Sequence, residues 1–172
     1  KALQEAVLLH QADFGVALDG DGDRLIMVDH LGEVLDGDEI LYIIAKTRLD
    51  KGYLGGSVVG TQMTNLGVEH ALNRLDITLL RSAVGDRHVI QLMNESGAIL
   101  GGEGSGHIIC ADRTTTGDGI IAALQVLEAM SRQSASLHEL KKDIQKYPQC
   151  MINVSLNGSG RFILTDDIKK AV

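Results

Sequence analysis

The chain has 172 residues, with 16 Lys and Arg against 23 Asp and Glu, for a net charge of −7. That balance argues against a general nucleic-acid binder, which needs a basic face, and no apolar run is long enough to span a bilayer or to read as a secretory signal. Aliphatic residues supply enough material for a sizeable core, and Cys110 and Cys150, without metal-type spacing, read as thiols in a reducing cytosol.

A helix-like run (Leu3, Ala6, Val7, Leu8) opens the chain. Phe14 to Leu18 and Leu25 to Asp29 read as strands joined by a short polar loop, which predicts a β-hairpin. A turn follows at Leu31-Gly32-Glu33. Asp36-Gly37-Asp38 then precedes residues 39–45, an apolar helix with an acidic first turn, and a domain boundary is expected near 36–40. Beyond it, strands at 57–60, 77–80, 99–101 and 108–110 alternate with helices at 66–75, 86–95 and 118–132. The alternation predicts an α/β fold, a layered mixed sheet with flanking helices. Ser136 and Glu139 form a capping box for one more helix. Pro148 suits a linker, and residues 151–156 read as the first strand of a further domain. The sequence starts without Met inside one helical run and stops inside another, so we expect an excerpt of a longer protein: one complete domain with partial neighbours.

Asp19-Gly20-Asp21-Gly22-Asp23-Arg24 is the densest chemical signal. Three crowded carboxylates repel one another unless a cation sits between them. Oxygen-only donors suit a hard cation such as Mg2+. The plainer alternative is a solvated acidic turn. A calcium EF-hand needs Gly at loop position six and Glu at position twelve, where Arg24 and His30 stand. The loop follows a strand's C-terminal end, where open α/β sheets bind ligands.

Gly101-Gly102-Glu103-Gly104-Ser105-Gly106-His107 is a second cluster. Its glycines expose backbone and bring Glu103, Ser105 and His107 onto one loop. A carboxylate beside a hydroxyl suits adjacent sugar hydroxyls or an amino group. A flexible glycine loop and a structural histidine are the plainer readings. In Val84-Gly85-Asp86-Arg87-His88, Asp86 is expected to cap a helix, with Arg87 in reach of an anion at its N-terminus. Thr114-Thr115-Thr116-Gly117-Asp118-Gly119 reads as a cap and turn.

Taken in this order, these stretches resemble the α-D-phosphohexomutase superfamily. Gly60-Thr61-Gln62-Met63-Thr64-Asn65, the run 112–119 and Tyr147-Pro148-Gln149 resemble its bacterial phosphoglucosamine mutase branch. The resemblance implies four domains around a cleft. Residues 1–36 would be the C-terminal part of the metal-binding second domain. Residues 37–147 would be the sugar-binding third domain, and 148–172 a linker and the truncated start of the fourth. It implies Mg2+ held by Asp19, Asp21 and Asp23, and Arg24 as the catalytic arginine beside the transferring phosphate. Glu103 and Ser105 would contact sugar hydroxyls, with Arg87 and His107 in the same cleft. It also implies an isomerase that moves a phosphoryl group between phosphoserine and a phosphosugar through a bisphosphate. The phosphoserine and the main phosphate loop belong to other domains, so this chain alone is expected to be inactive. His88 stands where the family usually has Tyr, which leaves its role open.

The alternatives are a phosphomannomutase or phosphoglucomutase of the same superfamily, or a non-catalytic metal- or sugar-binding module. The expected partners are a phosphosugar and the missing domains. Neither nucleic acid nor membrane is expected, and the expected location is the cytoplasm. Exposed apolar edges at both ends leave a homodimer open.

Overall fold

The computed structural model describes residues 1–150, and the strand expected at 151–156 lies outside them. The chain opens with helix α1 (Ala2–His10), strands β1 (Phe14–Leu18) and β2 (Leu25–Asp29), and the short β3 (Val34–Leu35). The strands form an antiparallel sheet in the order β1-β2-β3. Leu18 faces Leu25 in the register, so the hairpin presents residues 19–24 as its tip. Leu25 and Met27 of β2 alternate inward and join Leu35 in the main hydrophobic core.

Helix α2 (Gly37–Asp50) follows at once. The Asp36 side chain accepts the amides of Asp38 and Glu39, and Glu39 returns the bond to the Asp36 amide at 3.1 Å. This capping box fixes the start of the helix. Ile40, Leu41, Tyr42, Ile43, Ile44 and Ala45 are all buried. A helix apolar on every side belongs inside a core, and α2 lies between the hairpin and the main sheet.

That sheet has the order β5-β4-β6-β7, from β4 (Ser57–Thr61), β5 (Thr78–Ser82), β6 (Leu100–Gly102) and β7 (Ile108–Cys110). β4 runs parallel to β5 and β6, and β7 returns antiparallel. The helices are α3 (Leu66–Asn73), α4 (Asp86–Ser96), α5 (Gly119–Gln133) and α6 (Leu137–Leu140). Val58 joins the main core with residues of α2, α3 and α5, while Val59 joins a smaller one with Val89 and Met93 of α4. Successive residues of one strand thus feed opposite layers, and the mixed α/β layering expected from the sequence is present.

Two polar seams position the loops. Arg48 of α2 is 1% exposed and stands 2.9 Å from Asp112, with Gln125 at 3.2 Å and the Tyr53 ring beneath it at 5.5 Å. This anchors the loop that leads into α5. The second seam centres on Asp29, which is fully buried. One oxygen accepts the amides of Leu31 and Glu33, and the other faces His138 at 3.1 Å and Lys141 at 3.0 Å. Burial alone would raise this carboxyl, but the Glu33 amide, Lys141 and His138 outweigh it and hold it below its usual range. A lowered carboxyl stabilises the fold above its unfolded pKa, and that contribution disappears as pH falls through the folded value. Asp29→Ala should destabilise the folded protein by about 3 kcal/mol at neutral pH, because it leaves the Leu31 and Glu33 amides without their acceptor and removes the partner of His138 and Lys141. Denaturant melts at neutral and acidic pH check this, and the cost should shrink on the acid side.

Two expectations need correction. Asp86 does not cap α4. Gly85, at φ 121°, is the N-cap residue and makes no side-chain cap, while Asp86 lies inside the first turn and its carboxylate takes the Arg87 amide. β3 was not anticipated, since two residues carry no periodicity. Among the described residues, no helix is long and apolar enough to cross a membrane.

Candidate functional site

The hairpin tip brings Asp19, Asp21 and Asp23 together, with a donor oxygen of each within 4.8 Å of the others. Gly22, at φ 76°, makes the turn that returns the third carboxylate to the first. The Arg24 amide donates to Asp19 at 3.2 Å, and its Nε stands 3.9 Å from both Asp19 and Asp23. More than half of the Arg24 side chain is exposed, so its charge faces open solvent over the cluster.

The back of this tip is fixed to the β6–β7 turn and to the start of α5. The Leu25 amide donates to the Gly106 carbonyl at 3.0 Å, and the Gly119 amide donates to the Gly22 carbonyl at 2.9 Å. Arg24 and His107 pair as an isolated antiparallel bridge. The His107 ring, 3% exposed, holds Asp23 Oδ2 through Nδ1 at 3.1 Å. A side chain at Gly117 would fall 2.4 Å from that ring, so the backbone there must lack a Cβ.

Crowding shapes the titration of the cluster. Desolvation, followed by the neighbouring Asp19, raises the Asp23 carboxyl against the pull of His107. Desolvation also acts on Asp19, but the Arg24 amide and the bond shared with Asp23 leave it lowered. Asp23 Oδ1 is buried with no hydrogen-bond partner. A three-carboxylate, all-oxygen set with one orphaned acceptor fits a hard divalent cation.

A second acidic group, Asp29, Glu33 and His138, has comparable spacing. There the Lys141 ammonium stands 3.0 Å from Asp29 and 2.7 Å from Glu33. The chain supplies its own cation, and that group reads as a structural knot.

The remaining expected residues divide. Glu103 Oε1 accepts the Gly85 amide at 2.8 Å, which joins the glycine loop to the start of α4. Ser105 and Arg87 are exposed, and Arg87 has no ion-pair partner among the described residues. His107 bonds Asp23 of the metal loop, whereas Glu103 bonds the start of α4, so these two polar residues of the glycine loop serve different partners. His88 is exposed beside Gly85.

Sequence reasoning missed Asp38, Asn65 and Arg81. The Arg81 guanidinium binds the carbonyls of Thr61 at 2.9 Å and Thr64 at 3.0 Å and pairs with Glu69, which stitches the β4–α3 loop. Asn65 caps α3 and exchanges hydrogen bonds with the Tyr147 backbone at 2.8 and 3.0 Å. A side chain that serves backbone far along the chain leaves no local signature.

A layered α/β domain with an acidic hairpin tip docked on a glycine turn defines the class. Residues 36–147 match the phosphoglucomutase/phosphomannomutase alpha/beta/alpha domain III, and the chain belongs to that family. It is 62% identical over 154 residues to a phosphoglucosamine mutase of Methylococcus capsulatus, covering 90% of this chain and 34% of the relative. It is 52% identical over 172 residues to a phosphoglucosamine mutase of Vibrio vulnificus, covering 100% of this chain and 39% of the relative. The chain thus spans little more than a third of the length of these curated relatives. A crystal structure of a phosphoglucomutase/phosphomannomutase family protein from Burkholderia thailandensis superposes with a TM-score of 0.72 at 27% identity, over 81% of this chain and 31% of that one. The fold also matches an Aspergillus fumigatus N-acetylphosphoglucosamine mutase in complex with GlcNAc-6P and magnesium. That match has a TM-score of 0.65 at 19% identity, over 79% of this chain and 34% of that one.

Proposed function

We propose that this chain is the metal- and sugar-binding portion of a phosphosugar mutase that interconverts glucosamine 6-phosphate and glucosamine 1-phosphate. The observation that carries the reading is the docking of the acidic tip on the glycine turn through His107 and Asp23, 3.1 Å apart. The identity to phosphoglucosamine mutases supports the choice of sugar. Residues 1–36 would belong to the metal-binding domain, 37–147 to the sugar-binding domain, and 148–172 to a linker and the start of the next.

In this reading Asp19, Asp21 and Asp23 hold Mg2+. The ion supplies positive charge against the phosphate being transferred, where positioning and charge stabilisation do most of the catalysis. Arg24 adds a fixed cation on the open side of the cluster. His107 holds Asp23 in place, so that the carboxylate does not swing away from its neighbours. Glu103 and Ser105 accept and donate to the sugar hydroxyls, and Glu103 gives up or shares its bond to Gly85 when it does so. Arg87, in the first turn of α4, meets an anion with help from the helix dipole. The phosphoserine comes from a segment outside these residues, and the isolated 172-residue chain should show no turnover.

The test is turnover by the intact protein on the phosphates of glucosamine, glucose and mannose. A preference for glucosamine phosphate of roughly tenfold or more in kcat/KM is expected, since a protonated amino group offers the Glu103 carboxylate a charge-assisted bond that a hydroxyl does not. A preference for glucose or mannose phosphate would assign a phosphoglucomutase or phosphomannomutase instead.

A further inference from the structure

Asp38 lies in the first turn of α2 and is 3% exposed, yet nothing in the proposed chemistry uses it. Its Oδ2 accepts the Asn65 amide at 2.8 Å, where the β4–α3 loop enters α3. Its Oδ1 is buried with no hydrogen-bond partner. That carboxylate faces Gly104, where a Cβ would stand 3.5 Å from Oδ1. The neighbouring Gly37 amide donates to the Gly104 carbonyl at 3.1 Å. The Asp38 carboxylate therefore bonds the loop that follows β4 (61–65) and lies beside the loop that follows the adjacent strand β6 (103–107), which carries Glu103 and Ser105.

A purely structural buried carboxylate has both oxygens satisfied, as Asp29 does here. Asp38 leaves one buried acceptor unfilled, which costs stability when the group is ionised. We propose that Asp38 is a positioning residue of the sugar site, whose negative charge holds the 61–65 loop through the Asn65 amide alongside the 103–107 loop and so sets the affinity for the phosphosugar.

Burial pushes the Asp38 carboxyl up to about 6, with the Asn65 amide opposing. Three charged groups act on it: Asp36 ahead of α2, Lys146 beyond α6, and Arg81 on β5. Asp36 raises the carboxyl further, while Lys146 and Arg81 lower it, and Lys146 is itself paired with Asp36 and Glu39. A carboxyl raised above its unfolded value stabilises the fold at low pH, and that contribution is lost as pH rises through about 6. At neutral pH the ionised group therefore works against the fold, and its neutral isostere should be no less stable.

The inference rests on the mutase reading. The experiment is Asp38→Asn in the intact mutase, with glucosamine phosphate as substrate. Near neutral pH, KM should rise about tenfold, the equivalent of one weakened charge-assisted bond, with kcat within about twofold and the melting temperature unchanged or higher. The wild-type KM should climb toward that of the variant below about pH 6. The substrate phosphate titrates in the same range but affects both enzymes alike, so the difference between them is the readout. An unchanged KM, or a lower melting temperature with kcat and KM both impaired, overturns the proposal.

If the variant does not fold, amide exchange at Asn65 in the wild type decides. Its protection should fall as pH drops through about 6, and pH-independent protection overturns the proposal. A wild-type protein inactive on every phosphosugar would sink the mutase reading instead, while the Asn65 exchange would still report on the brace.

Discussion

Asp21→Asn should cut turnover of the intact mutase by roughly two to three powers of ten while leaving the fold unharmed. Among the described residues the Asp21 side chain makes no hydrogen bond or ion pair, and it is exposed. Its charge repels Asp23 and helps to raise that carboxyl. A group that contributes nothing to folding and repels its partners is placed for something outside the chain. The substitution removes a charged oxygen donor and keeps the shape. The Mg2+ concentration for half-maximal activity should rise, and excess Mg2+ should restore part of the rate. The melting temperature without metal should be unchanged or slightly raised. Wild-type turnover with wild-type Mg2+ dependence would remove Asp21 from the site. Asp23→Asn should behave differently, because Asp23 also holds the buried His107 ring. There a loss of activity should come with a loss of stability.

The hairpin, its acidic tip, the alternating sheet, the acidic start of α2 and the capping box at Ser136 all come from signals within a few residues of each other, and such signals survive in a bare sequence. The union of the two clusters does not. His107 and Asp23 are 84 positions apart, and only the packing of the hairpin on α2 and α5 brings them together. Asp38 was hidden for a related reason. An acidic residue in the first turn of a helix normally faces water, but α2 is buried on every side, so its polar start is buried too. Asp86 misled in the opposite sense. Asp is a strong capping residue, but Gly85 enters the turn at a φ of 121°, which shifts the start of the helix by one residue.

Gly106→Ala should be the most damaging single change at the seam between the hairpin and the glycine turn. Gly106 has a φ of 96°, and a Cβ built on it falls 2.2 Å from the Leu25 carbonyl oxygen. That neighbour is backbone in a buried strand and has nowhere to go. The same glycine accepts the Leu25 amide at 3.0 Å and donates to the Glu103 carbonyl at 3.0 Å, so any shift breaks the pairing on both sides. Strain and collision together should cost about 3 kcal/mol or more. The damage should also reach the metal. Once the turn moves, His107 no longer holds Asp23, and Mg2+ affinity should fall by roughly ten- to a hundredfold, as when a partner of a metal ligand is lost. Gly104→Ala is the matched control. It adds the same methyl to the same loop, but its nearest neighbour is the Asp38 carboxylate at 3.5 Å, an ordinary contact. Thermal melts and Mg2+ titrations of both variants should separate them. If Gly106→Ala melts like Gly104→Ala and binds Mg2+ equally well, this seam does not hold the acidic tip, and the bond from the Gly119 amide at the start of α5 to the Gly22 carbonyl must carry that role.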